Sequence, residues 1–420
     1  MIAQATTQWE RIAQVVMNEL AEVWEQARQG PDGETVEQQV FAWSRRVGRQ
    51  VLEAALQAKV EQQESAEVIC CGRAMHREVR ERRAALTLLG PVTVRRRYLR
   101  CPQCRAHSRP ADQWLGWRGG FSFAVAEMVA WECAALPYRE ALASLRKLAG
   151  LELSLDAAES IVARWGKAEL PRAPYSEPVP HALVVQIDGA QAHLEEGWKE
   201  IKLGAFFDWD CADPAAKPKA VTYTADWETA EEFRETLWAE ALARGAFTAR
   251  AVAVIGDGAP WIWETANTLF PRAVEILDWY HLTEHLWEAA IAVHGEGNEP
   301  TQALAKMWET EVWEGRSALV ESHLRELVET GQDDSQHTLR RCANYLQTHQ
   351  ARLRYDLFHA AGWPVGSGVV EGGCKHVVGL RFKRQSTRWT KTGARNVLHL
   401  RLDRLSKRWE ARSQFMRKAA

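Results

Sequence analysis

Three carboxylates stand where chemistry is done. Asp188 and Asp257 each follow an apolar run that reads as a strand, and each is followed at once by glycine. Glu371 lies in a glycine-framed helix start, Gly366-Ser-Gly-Val-Val-Glu-Gly-Gly373. Strand ends hold carboxylates rigidly at a sheet edge, and glycines let a bulky substrate backbone come close. Converging carboxylates bind hard cations such as Mg²⁺ through oxygen. Two such ions ~3.5–4 Å apart can activate an attacking oxygen and stabilise the leaving one in phosphodiester cleavage. Taken singly, an Asp-Gly after a strand is also an ordinary turn. An acidic residue in the first turn of a helix is favoured there by the helix dipole. The three together describe a metal-dependent, nuclease-like site.

Two further groups could hold metal. Cys101-Pro-Gln-Cys104 is a C-x-x-C knuckle, and Cys70-Cys71 stands upstream of it. Cys70, Cys71, Cys101 and Cys104 could bind one structural Zn²⁺, with His76 or His107 as substitutes. The alternative is a metal-free hairpin with reduced thiols. His281-Leu-Thr-Glu284-His285 fits the H-x-x-E-H pattern of inverted zinc peptidases, with two histidines on one helix face and Glu284 as base. That reading needs a helix beginning where Ile276 to Asp278 reads as a strand end, and a third ligand further on. The other cysteines (Cys133, Cys211, Cys342, Cys374) read as small packing residues.

The elements that must position these groups follow from periodicity. Trp9, Ile12, Val16, Leu20 and Val23 recur at helical spacing, Gly30-Pro31-Asp32-Gly33 is a turn, and a second helix runs from about Thr35 to Gln63. Leu86 to Val94 reads as strand, turn, strand. Helical pattern returns over 121–170, where two helices joined across Gly150 to Leu155 fit either a helix-turn-helix or an ordinary helical hairpin. Trp9, Trp24, Trp131 and Trp165 read as core anchors of these helices. Pro171, Pro174, Pro178 and Pro180 mark a boundary. Beyond it, strands are expected over 181–186, 201–207, 220–223, 251–255 and 273–277, with a helix over 228–243. Helices follow from about 282 to 360. The expected domains are therefore 1–66 (α-helical), 67–112 (a zinc-ribbon-like basic β-hairpin), 113–175 (helical), 176–375 (α/β with an all-α insertion at about 282–360) and 376–420 (a basic helical segment).

The net charge of −2 hides a pattern. Residues 73–109 carry 11 arginines against Glu78 and Glu81, and residues 375–420 carry 14 basic side chains against Asp403 and Glu410. The rest is acidic. The balance therefore excludes only a uniformly basic protein, and the two basic segments fit phosphate contacts. The candidate DNA-binding residues are Arg95, Arg96, Arg97, Lys383, Arg384, Arg388, Lys391 and Arg395, with Trp389 to stack on an unpaired base. No run of ~18 apolar residues suggests a membrane span. No secretory signal is visible, and eight cysteines are too few for a disulfide scaffold, so a reducing cytoplasm is expected.

The ordered set Asp188-Gly189, Asp257-Gly258, Asp278-Trp-Tyr-His281 and Gly366-Ser-Gly-Val-Val-Glu371-Gly resembles the DDE transposases of bacterial insertion sequences. It is most similar to their ISKra-type, Mutator-like group. His281-Leu-Thr-Glu-His285-Leu-Trp287 and the run from Arg381 to Arg401 carry the same resemblance, which covers roughly residues 66–410. It implies an RNase H-like catalytic domain with Asp188, Asp257 and Glu371 as the Mg²⁺ (or Mn²⁺) ligands. Asp278 and His281 would be supporting residues, and the helical stretch an insertion domain. It implies DNA transposition as the activity, with terminal repeats and target DNA as partners, a homo-oligomer in the active complex, and a nucleoid-associated, cytoplasmic protein. The family pattern has a cysteine where this chain has Val68. The competing readings are the zinc metallopeptidase and a catalytically inert DNA-binding relative.

Overall fold

A computed structural model of the chain describes residues 2–172, 181–330, 333–384 and 388–419. Pro174, Pro178 and Pro180 of the expected boundary lie outside the described residues. Chain contacts divide into two units, Met1–Trp165 with Ala411–Ala420, and Gly166–Glu410. The fold is mixed α/β, with a small antiparallel sheet in the first unit and a five-stranded sheet in the second.

The first unit begins with the two expected helices, α1 (Ile2–Arg28) and α2 (Gly33–Gln63). Asp32 accepts from the Thr35 amide at 2.8 Å and caps α2, which stops the turn from continuing as helix. Trp24 is an exception to the core-anchor expectation, being 66% exposed, whereas Trp165 is buried. Short strands β1 (Ile69–Cys70) and β2 (Arg73–Ala74) precede a long hairpin, β3 (His76–Thr87) and β4 (Gly90–Arg100). The hairpin is far longer than the 86–94 expected, because arginines fill positions that hide its alternation. Val92, Val94 and Leu99 of β4 are buried, and so is Arg96. The hairpin's apolar side packs with Val60 of α2 and Trp117. β5 (His107–Ser108) pairs with β4, and α3 (Pro110–Leu115), α4 (Phe123–Ala135), α5 (Tyr138–Ala149) and α6 (Leu155–Gly166) follow. Pro137 starts α5 and Gly150 ends it, as the sequence indicates.

The second unit is built on β6 (Ala182–Leu194), β7 (Gly197–Trp209), β8 (Lys219–Asp226), β9 (Val252–Gly256) and β10 (Val274–Leu277), in the order β10-β9-β6-β7-β8. β6, β7 and β8 form an antiparallel meander; β9 lies parallel to β6, and β10 parallel to β9. The five expected strands are all present. β6 is buried without a break from Ala182 to Ile187, the pattern of a central strand covered on both faces. Helix α7 (Ala230–Ala243) starts on a capping box between Thr229 and Glu232, and α8 (Pro260–Leu269) links β9 to β10.

The helical stretch comprises α9 (Trp279–His294), α10 (Glu299–Trp313), α11 (Ser317–Thr330), α12 (Asp333–His349) and α13 (Tyr355–Ala360). Leu286, Trp308, Leu346 and Tyr355 from these helices belong to one continuous core with Val184, Ile187 and Ile255 of the sheet. The chain then returns through α14 (Gly368–Gly373), a π-helical segment (Cys374–Gly379) and α15 (Leu380–Phe382), and ends in α16 (Lys391–Leu405) and α17 (Trp409–Lys418). Among the described residues, no helix is long and apolar enough to cross a membrane.

Candidate functional site

The sheet register brings three aspartates to one level. Ile187 of β6 stands opposite Gly256 of β9, and Gly256 opposite Leu277 of β10. The next residue on each chain is Asp188, Asp257 or Asp278, so the three occupy neighbouring tracks of a parallel array ~4.8 Å apart. The Asp278 amide keeps that level by donating to the Gly256 carbonyl at 2.9 Å. One expectation needs correction. Asp188 does not end its strand, because β6 runs on to Leu194 and Asp188 pairs with Leu203 of β7. Asp188-Gly189 is therefore no turn; only the pairing with β9 stops before it.

Glu371 reaches the row from α14, 114 residues beyond Asp257 in the chain. A buried glutamine that the sequence reading overlooked ties that helix to β6. Gln186 donates to the Gly366 carbonyl at 2.8 Å and accepts from the Val370 amide at 2.9 Å. Its signal was visible as the one polar residue inside Ala-Leu-Val-Val-Gln-Ile. Asp278 makes the second tie: its carboxylate accepts from the Ser367 amide at 2.8 Å and from the His281 amide at 3.0 Å, capping α9. Asp278 is thus a buried cross-link between α9 and the Ser367 loop. The Ser367 hydroxyl donates to Glu371, and Tyr345 of α12 donates to the Asp257 carbonyl at 2.7 Å.

The glycine frame does only part of what was expected of it. A side chain at Gly366 would meet Tyr280, and one at Gly373 would meet Tyr223 and Leu203, so these two serve internal packing. Gly368 and Gly372 face open space. Cys374, expected to be a packing residue, donates its thiol to Asp188 at 3.4 Å from the first position of the π-helical segment. Such segments are frequent at functional sites.

Burial pushes the Asp188 carboxyl above its ordinary range; the Gly189 amide and the Cys374 thiol oppose this, and the charges of Asp257 and Glu371 add to it. Burial likewise raises Asp278, opposed by its amide donors, with Glu371 adding to the rise. Among the described residues, no lysine, arginine or histidine forms an ion pair with Asp188, Asp257, Asp278 or Glu371. Oxygen donors left with mutual repulsion fit a hard divalent cation. The ligand atoms of Asp188, Asp257 and Glu371 do not all lie within 4.8 Å of one another.

His281 and His285 do share a helix, since α9 begins directly after Asp278, so the objection from local structure falls. Their rings lie edge to face at 5.2 Å. Among the described residues, no third ligand closes a group with them within 4.8 Å. His285 instead packs on Tyr345 at 4.3 Å, and burial lowers its proton affinity.

The cysteines form the one tight ligand group among the described residues: the sulfurs of Cys70, Cys71, Cys101 and Cys104 lie within 4.8 Å of one another. Cys71 (φ 52°) and Gly72 (φ 72°) are both left-handed, which builds the two-residue turn between β1 and β2 and swings the adjacent thiols together. Cys70 stands 3.6 Å from Cys104 and 3.9 Å from Cys71. A tetrahedron with Zn–S of ~2.3 Å has edges of about 3.8 Å, so the cluster could hold a metal ion such as zinc. The Cys104 amide draws the Cys101 thiol down to about 7. Val68 packs with Met75, Leu99 and Cys101 beneath the cluster. His107 is bonded to Tyr98, and neither it nor His76 joins the group.

The expected DNA-binding residues divide. Arg95 is exposed, and so are Lys383, Arg384, Arg388 and Lys391. Arg96 is not: it is buried against Asp112 and Glu81. Arg97 is held on the C-terminal end of α2 by Glu64. Arg395 is paired with Asp226 and Glu228. Trp389 is a core side chain, packed at 5.2 Å on Phe382 and beneath Arg381, so it cannot stack on a base. No protein-family model matches this chain, and no curated protein does.

Proposed function

We propose that the chain is a DNA transposase of the DDE type, resembling the ISKra-type group of insertion sequences, with an RNase H-like catalytic domain in its second unit. The observation that carries the reading is the register of Asp188 with Asp257 on adjacent parallel strands, joined by Glu371 whose charge reaches Asp188. A meander followed by two parallel strands, with the acids at the centre of the sheet, supports the RNase H-like assignment.

Asp188, Asp257 and Glu371 would hold Mg²⁺ or Mn²⁺, which when bound supplies Lewis-acid activation of the attacking oxygen and charge stabilisation at the leaving one. Gln186 and Asp278 position the Glu371 segment, and Ser367 orients the Glu371 carboxylate. Water adds to phosphorus at the element end while the P–O3′ bond breaks, leaving a 3′-hydroxyl and a 5′-phosphate. That hydroxyl then adds to a phosphodiester of target DNA and displaces its 3′-oxygen. Both steps are in-line displacements, so one fixed set of oxygen donors serves both. DNA approaches along exposed cations such as Arg95, Arg388 and Lys391. Cys70, Cys71, Cys101 and Cys104 would hold one Zn²⁺, which when bound would stabilise the hairpin end as a structural, closed site.

The test is an end-labelled DNA bearing the element's ends, incubated with purified protein in Mg²⁺ or chelator. Nicking and joining should require Mg²⁺ and fall by about a hundred- to a thousandfold in Asp188→Asn with DNA binding retained. Unchanged strand transfer after replacing Asp188, Asp257 and Glu371 in turn would sink the reading. Zinc content of about one per chain, lost in Cys101→Ser, tests the quartet separately.

A further inference from the structure

A cleft lies within the first unit, which carries none of Asp188, Asp257, Asp278 and Glu371. It is an open cleft of about 620 Å³, within the size range of small-ligand sites. Its wall carries Arg83, Arg109 and Arg118; of the nearby carboxylates, Asp112 on the wall is paired with Arg96 and Glu81 behind it with Arg109. His107 and Trp117 supply ring surface.

The arginines are held by the fold before any ligand arrives. Arg83 donates to the Trp117 carbonyl at 3.0 Å. Arg109 is paired with Glu81 at 2.8 Å and lies 4.6 Å over the Tyr98 ring, which in turn stacks on His107 at 5.0 Å. Arg118 opens a two-residue turn whose glycines, Gly119 (φ 61°) and Gly120 (φ 82°), return the chain to Phe121 through paired backbone bonds of 3.2 and 3.1 Å. The excess positive charge is felt by neighbours. Burial, then the charges of Arg109 and Arg83, lower the proton affinity of Arg96, and burial with Arg118 does the same to Arg164.

We propose that this cavity is a nucleotide-phosphate site, taking a phosphate among the guanidiniums of Arg83, Arg109 and Arg118 and its base against the ring of His107. Guanidinium forks match phosphate bidentately, and a phosphate offers three acceptor oxygens to the donors that Arg83, Arg109 and Arg118 do not already use, where a carboxylate offers two. The volume exceeds what a bare phosphate fills and leaves room for the organic part of the ligand. The phosphate belongs either to a free nucleotide or to the end of a DNA strand. The site does not depend on the carboxylate row.

Calorimetric titration of the full chain at low salt decides it, with dAMP, deoxyadenosine and inorganic phosphate as probes. dAMP should bind at least about tenfold more tightly than either, the worth of one charge-assisted contact. Arg118→Gln, at an exposed position, should weaken dAMP about tenfold. Gln113→Glu, also exposed and on the cavity wall, should weaken it similarly by adding negative charge, and keeps the test decisive if Arg118→Gln fails to fold. A 5′-phosphorylated single strand binding more tightly than its 5′-hydroxyl counterpart identifies the strand end as the source; equal binding identifies the free nucleotide. Asp188→Asn should leave all of this unchanged, so a failed transposition assay does not touch the result. The proposal is overturned if dAMP binds no better than deoxyadenosine or inorganic phosphate, or if neither variant weakens it.

Discussion

The five-stranded sheet and the helices on it carry two sets of carboxylates with opposite electrostatics. At its β8 edge, Asp226 accepts from Arg395 at 2.9 and 3.0 Å, and Glu240 lies between Arg408 at 2.6 Å and Arg172 at 3.1 Å. Burial acts to raise both groups. His399 and Arg395 around Asp226, and Arg408 and Arg172 around Glu240, more than offset it, so both end below their ordinary values. Beyond the parallel pairing on the other side of the sheet, Asp188 is half-buried and Asp278 buried, and both end above theirs. What differs is the counter-charge. Arginine completes the edge set; among the described residues the second set is met by amides, the Ser367 hydroxyl, the Cys374 thiol and other acids, with no lysine or arginine ion pair. A buried acid left unneutralised is what the proposed function asks of Asp188, whereas Asp278 spends its carboxylate on the His281 and Ser367 amides.

The largest expected effect breaks the edge set. Glu240→Gln strands two arginines beside a buried neutral amide and should cost about 3–5 kcal/mol of stability at pH 7 by denaturant unfolding. Glu240 has a depressed folded pKa, so its contribution is present above the ordinary 4.5 and is lost as pH falls through the folded value. The deficit of the variant against wild type should therefore shrink in acid. A deficit that stays constant to low pH would mean that packing, not charge, accounts for Glu240.

Next in size is the clamp on the second set. Gln186→Leu removes partners from the Gly366 carbonyl and the Val370 amide, both inside the protein, and should cost roughly 2–4 kcal/mol. Nicking should fall further than the loss of folded protein explains, because Glu371 loses its anchor to β6. Gln186→Leu with full activity would show that Asp278 alone fixes Glu371.

Asp188→Asn sharpens the comparison, because it should move stability the other way. In chelator at pH 7 it relieves desolvation and repulsion while the Gly189 amide keeps its acceptor, so thermal unfolding should rise by a few degrees. The sign follows from the raised folded pKa: the cost is present above it and is relieved as pH falls through it, so the advantage of the variant should vanish in acid. Mg²⁺ should stabilise wild type and not the variant. Equal Mg²⁺ stabilisation of both proteins would place the cation elsewhere.

Legibility in the sequence divides along the same line. The strands and their order of appearance followed from apolar runs, and Cys101-x-x-Cys104 from spacing, because both signals are local. Asp188 and Asp257 were readable as acids at apolar runs, but their shared level depends on register between strands 69 residues apart, which no local pattern encodes. Gln186 was overlooked and Cys374 read as a packing residue because their partners lie 180 or more residues away. The basic tail misled for the converse reason. Its charge count is a local fact, whereas the acids that consume it lie on another part of the chain: Arg395 serves Asp226 and Glu228, and Arg408 serves Glu240.

That division yields the smallest prediction. Arg388 and Lys391 lie on the same basic segment as Arg395, yet they are exposed where Arg395 is half-buried between two carboxylates. Replacing Arg388 or Lys391 by glutamine should change stability by no more than about 0.5 kcal/mol. Each should reduce the salt dependence of DNA binding by roughly one phosphate contact. Arg395→Gln should do the reverse, lowering stability while leaving the salt slope alone, because its charge is already spent on Asp226 and Glu228. Measuring slope and stability on the three variants separates cations that neutralise the protein from cations that face its substrate. If Arg395→Gln reduces the slope as much as Lys391→Gln does, the edge carboxylates hold their arginine loosely enough to lend it to DNA, and the contrast between the two carboxylate sets loses its basis.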